Sequence, residues 1–214
     1  MKINKFSLVC FMLLLIIIPV VLATLKDYLN TNDDSRETNN AGTARWWGQT
    51  WTATSTYTAT GIRTKMSKYG DCGTVTLSLR ATSSDLPTGA DLASVSFACS
   101  SLSTVNSAST PWVNYTLSSG VSITSGTKYA IVARSTVAGG GTNYLSWRTD
   151  IGSAYSTGSA VYSDNSGATW ADEGVEDFMF EVYADSGAAG YTHKVDGVTP
   201  VKVNGATPIK VNNI

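Results

Sequence analysis

The side chains in this chain that could do chemistry are few. There is one histidine, His193, and outside an N-terminal apolar run there are two cysteines, Cys72 and Cys99. A glycoside hydrolase needs two facing carboxylates whose pKa values are held apart. Asp150 and the cluster Asp172, Glu173, Glu176 and Asp177 are the local supply, and they read as a solvated acidic loop. A structural calcium is the one metal such a loop would suit, and nothing in the ligand spacing supports it. A Ser-His-Asp arrangement would have to recruit His193, which lies beyond the glycine-rich break that ends the patterned region. Two cysteines and one distant histidine lack the spacing of a zinc site. The sequence therefore predicts neither catalysis nor a cofactor.

Binding is the better use of what is here. Six tryptophans stand at 46, 47, 51, 112, 147 and 170. Sugars present apolar C–H faces that stack on indole rings, so an exposed tryptophan on a sheet suggests glycan recognition. Adjacent strand residues face opposite ways, so one of Trp46 and Trp47 points inward and the other lies outside. Trp147, with Arg148 and Asp150, forms the second candidate patch. Trp51, Trp112 and Trp170 are assigned to the core, which absorbs much of this residue type.

Several features place the chain outside the cell. Lys2 and Lys5 precede an apolar run over 6–23 that ends in Val21-Leu22-Ala23, the order of a secretory signal peptide. A retained membrane anchor is the alternative, since the run is just long enough to span. Either way the remainder is exported, and the membrane is touched only through this segment. In an oxidising compartment Cys72 and Cys99 are expected to pair, with two free buried thiols as the alternative. An acceptor sequon, Asn114-Tyr115-Thr116, matters where the host glycosylates. Net charge is −1 and charged residues are 14% of the chain, which argues against a nucleic-acid partner.

The elements that must carry these residues have a period of two. Val75, Leu77 and Leu79 alternate with Thr74, Thr76, Ser78 and Arg80; Val113, Tyr115 and Leu117 alternate with Asn114, Thr116 and Ser118. Phe178, Phe180 and Val182 repeat the pattern. Turn signals separate the runs at 70–73, 86–89, 118–120, 139–141 and 164–167. The expectation is an all-β, two-layer antiparallel β-sandwich, most simply a jelly roll, preceded by a hydrophobic leader helix and followed by a short repeat tail. The boundaries predicted are leader 1–23, polar spacer 24–45, sandwich 46–185, hinge 186–193 and tail 194–214.

Gly48-Gln49-Thr50-Trp51, the segments 57–62, 74–80 and 86–94, Lys128-Tyr129-Ala130-Ile131-Val132, 144–148 and Asp177-Phe178-Met179-Phe180 together resemble the choice-of-anchor domains. Those are extracellular jelly rolls of microbial surface and phage-associated proteins. The resemblance covers 46–185 and implies a non-catalytic display or accessory module with no active-site residues. Separately, Ser163-Asp164-Asn165-Ser166-Gly167-Ala168-Thr169-Trp170 resembles the Asp-box turn of sialidases, with Asn165 in the aspartate slot. In that family polar side chains tie the turn and the aromatic residue packs beneath.

The tail has its own period. Lys194-Val195-Asp196-Gly197-Val198-Thr199-Pro200-Val201 is followed by Lys202-Val203-Asn204-Gly205-Ala206-Thr207-Pro208-Ile209, then by a partial copy ending at Ile214. It resembles the Lys-Val-Asn-Gly-Val repeats that end some phage and microbial surface proteins. One copy is too short to bury its own apolar residues, so an interaction or homo-oligomer contact through the stretch from Lys194 to Ile214 is expected, with a disordered polar tail as the alternative. The function predicted is a secreted or cell-surface binding module for adhesion or carbohydrate, partnered by a glycan or a surface protein. The alternative is a structural subunit of an appendage or virion, assembling through the tail.

Overall fold

The computed structural model describes residues 23–185 apart from 140, 153 and 154; the leader, the hinge and the repeat tail lie outside the described residues. Strands β1 (Ala23–Leu29), β14 (Phe180–Asp185), β4 (Tyr57–Thr64) and β8 (Val113–Ile123) form one sheet in that order. A six-stranded sheet runs β12 (Ala171–Asp172), β11 (Ala160–Ser163), β3 (Trp46–Thr52), β9 (Lys128–Ser135), β6 (Thr74–Ser83), β7 (Leu86–Ala98). A smaller sheet joins β13 (Glu176–Phe178), β10 (Tyr144–Ile151) and β2 (Ser35–Thr38), with β5 (Met66–Tyr69) also on β10. It prolongs the four-stranded sheet, because β4 passes into β5 after Lys65 and β13 into β14 after Met179.

Every strand pairing in these sheets is antiparallel, and the described residues contain no α-helix. The protein is all-β, as a β-sandwich requires. Alternation explains the core: Val75, Leu77 and Leu79 of β6, Ile62 of β4, Ile131 of β9 and Val182 of β14 are all buried between the sheets. Each such side chain contributes roughly 1.5–3 kcal/mol by leaving water. Cys72 and Cys99 form a disulfide, Cα–Cα 5.4 Å, that ties the loop before β6 to the end of β7.

Two expectations are corrected. The stretch 24–45 is no spacer, because it supplies β1 and β2. β1 is hydrogen-bonded to β14 from Ala23↔Asp185 to Leu29↔Phe180. Its anchors are polar and so escaped an apolar pattern. Buried Asp27 accepts hydrogen bonds from Thr54 N (3.0 Å), Thr54 Oγ1 (2.7 Å) and Tyr57 OH (2.6 Å). Buried Asn39 donates to Ser135 Oγ and accepts from Leu145 N. The hairpin expected at 86–89 instead turns at Ser84 and Asp85, both left-handed at φ 49 and 65, so Pro87 sits inside edge strand β7.

Candidate functional site

The tryptophans sort by face. Trp47 points inward and is 2% exposed, its ring edge-on to Phe178 at 5.5 Å; Trp46 lies outside. That outer ring is covered, however. Arg80 and Arg134 stand over it at 5.3 and 5.0 Å, both bonded to Asp91, whose carboxyl they hold below its ordinary value against the opposing effect of burial. The turn at Gly167 closes the remaining side: a Cβ there, at φ +82, would lie 2.7 Å from the Trp46 ring. Trp46 is thus partly covered by its own neighbours and is not a free stacking platform.

The patch expected around Trp147 is not a surface at all. Trp147 is 1% exposed, stacks on Phe178 at 4.4 Å and donates its indole N–H to Met179 O. Arg148 is buried and its Nε bonds Asp33, which also pairs with buried Lys65. Asp150 is likewise buried. Strand β10 is covered on both sides, and its Arg148 serves an internal ion pair with Asp33. Trp51 is in the core as expected, whereas Trp112 and Trp170 are only half-buried.

Of the acidic residues, Asp177 is 2% exposed and both its oxygens are engaged, by Gln49 Nε2 (2.9 Å) and Tyr155 N (3.2 Å). Burial pushes its pKa up to about 6. Glu37, Glu173, Glu176 and Asp150 are also raised, by burial and then by repulsion from acidic neighbours. Among the described residues no group of three or more His, Cys, Asp or Glu side chains could hold a metal ion. The Asp-box-like turn is held by its own polar groups: Ser163 Oγ accepts from Asn165 N and Gly167 N, and Asn165 Oδ1 accepts from Thr169 N.

An open concavity lies elsewhere, on the outer face of the four-stranded sheet. A groove of about 420 Å³ is lined by residues of β1, β4, β8 and β14, among them Gly61, Arg63, Asn114, Thr116 and Tyr183. Register explains the grouping. Gly61 pairs with Thr116 on one side and Tyr183 on the other, and Arg63 pairs with Asn114 and Glu181. Paired residues project from the same face, so these side chains share one surface while Tyr115 turns inward onto Phe97. Gly61 makes the hollow, since a side chain there would rise between Tyr115 O (3.3 Å from its Cβ) and the Tyr183 Cβ (3.7 Å).

The groove's polar groups are fixed in place. Glu181 is 4% exposed and accepts from Arg63 Nη1 (3.1 Å), Tyr183 OH (2.8 Å) and Asn30 Nδ2 (2.9 Å). Burial works against the Arg63 charge, but its hydrogen bonds to Tyr183 and Glu181 win and hold the guanidinium above its ordinary value. Burial and Glu181 raise the Tyr183 phenol. Arg63 also stands 5.4 Å from the Trp112 ring. The result is a half-apolar, half-polar trough with a neutralised ion pair, whose donors and acceptors are preset. It suits an uncharged polyhydroxylated ligand.

Sequence reasoning missed Arg63, Tyr183 and Glu181. The usable signal was Gly61 within a strand pattern, which marks a close approach or an opening. No family model matches this chain, and no curated protein matches it significantly.

Proposed function

We propose that this protein is an exported, non-catalytic binding module that holds a neutral glycan in the groove beside Gly61. The observation carrying the reading is the coincidence in one hollow of the Tyr183 ring, the Arg63 guanidinium neutralised from behind by buried Glu181, and the amide and hydroxyl of Asn114 and Thr116. The Cys72–Cys99 disulfide supports an oxidising, extracellular setting. The fold is read as a jelly roll of the choice-of-anchor kind, with the signal peptide ahead of it. Cleavage after Ala23 would leave β1 whole but for its first residue.

An array of neutral and acidic oligosaccharides, probed with the secreted chain, tests this directly. Binding to neutral glycans that Tyr183→Ala weakens about tenfold, with an unchanged melting temperature, is the expected result. Binding confined to anionic glycans, or unaffected by Tyr183→Ala, would sink the assignment.

A further inference from the structure

A second surface, independent of the saccharide reading, lies at the end of the domain where β2, β10 and β13 meet. Ile151 and Val175 are 50% and 59% exposed there, and Gly152 N bonds Val175 O to hold them together. Around them stand Asp34, Glu37, Glu173 and Glu176. Glu176 pairs in register with Ile151, and Asp34 Oδ1 accepts from Ile151 N. Buried Asp150 lies close enough to Asp34 for their charges to repel, and Glu176 likewise repels Glu37 and Glu173. Arg36 and Arg45 are the cations facing this cluster, and Arg45 is already committed to Asp164 and to the Trp47 and Tyr162 rings. Carboxylates are thus in excess around an uncovered apolar centre.

The chain contains the complement. Its repeat, beginning at Lys194, sets three lysines against one aspartate, each lysine followed by a valine. We propose that this acidic and apolar end is the receptor for the Lys-Val repeat of a second copy of the chain. Lysines would meet Glu37, Glu173 and Glu176 while β-branched residues cover Ile151 and Val175.

The fold gives the contact a direction. β14 starts at Phe180, beside Leu29, and ends at Asp185, beside Ala23. The acidic residues cluster on the Phe180 and Leu29 side, so the described chain leaves the sheet about 17 Å away, at the other end of β14. A repeat seated on the receptor end of another copy makes a heterologous contact, which closes as a ring or grows as an open series.

Sedimentation of the full secreted chain over the micromolar range tests the proposal. A concentration-dependent ladder of sizes is expected, weakening as salt rises from about 0.05 to about 0.5 M. Glu173→Lys with Glu176→Lys should weaken association about tenfold or more. Lys202→Glu with Lys210→Glu should do the same, and mixing the two variants should restore it. Val175→Lys, at an exposed position, replaces the first variant if that one fails to fold. A single monomeric species throughout, a size change independent of concentration, or no loss in the charge-reversed variants would each overturn the proposal.

Discussion

The two outer faces of the domain carry nearly the same parts and put them to different ends. On the six-stranded sheet, Arg80 and Arg134 share Asp91 and lie over Trp46. On the four-stranded sheet, Arg63 bonds Glu181 beside Tyr183 and Trp112. The first cluster is closed by the turn at Gly167, and the second stays open because Gly61 has no side chain. Arginine, carboxylate and aromatic ring do not define a site. What lies above them does.

Both faces rest on one packed interior, and the largest expected effect lies there. Trp147→Ala should cost about 3–5 kcal/mol in urea unfolding, because it empties a fully buried volume against Phe178. A near-neutral result would return Trp147 to the surface and undo the sorting of faces. Next in size is Gly167→Val, which forces a branched residue into a left-handed backbone against the Trp46 ring. A loss of about 2–3 kcal/mol is expected, accompanied by greater quenching of tryptophan fluorescence by acrylamide as the ring is uncovered.

Titration sharpens the contrast further. Asp91, held low by its arginines, contributes stability above the ordinary aspartate pKa that is lost as pH falls through its folded value. Asp177, raised to about 6 by burial, contributes stability that is complete below about 4 and is lost as pH rises through about 6. The raised Glu37, Glu173 and Glu176 act in the same sense as Asp177. The melting temperature should therefore be higher near pH 5 than near pH 7.5, and Asp177→Asn should flatten that slope. The smallest stability change belongs to the open face. Gly61→Val should cost about 1–2 kcal/mol, since its φ is ordinary but its Cβ presses on the Tyr115 carbonyl oxygen at 3.3 Å, yet it should abolish glycan binding. Intact binding would move the site out of the groove.

How much of this was legible follows from where the information lies. The alternation in β6, β8 and β14 announces itself, as does the cysteine pair. Strands β1 and β2 do not, because Asp27 and Asn39 anchor them through hydrogen bonds that a hydropathy pattern counts against burial. Trp147 misled for a related reason: Arg148 and Asp150 look like a wet neighbourhood, but Asp33 and Lys65, distant in sequence, make an internal charge network of it. The groove is a property of cross-strand register among β14, β4 and β8, and neither Gly61 nor Tyr183 reveals its neighbour until those strands are paired.

The pairing of the first strand with the last has a mechanical consequence. Ala23 and Asp185 are partners at the same end of adjacent antiparallel strands. Tension applied between those two points loads the ladder one rung at a time, like opening a zipper, instead of shearing all the rungs together. Pulled through both ends, the domain would give way at β1 and β14 under low force, taking the wall of the groove with it. Held at one end alone it bears no such load, so the way this chain is tethered decides whether stress reaches the groove.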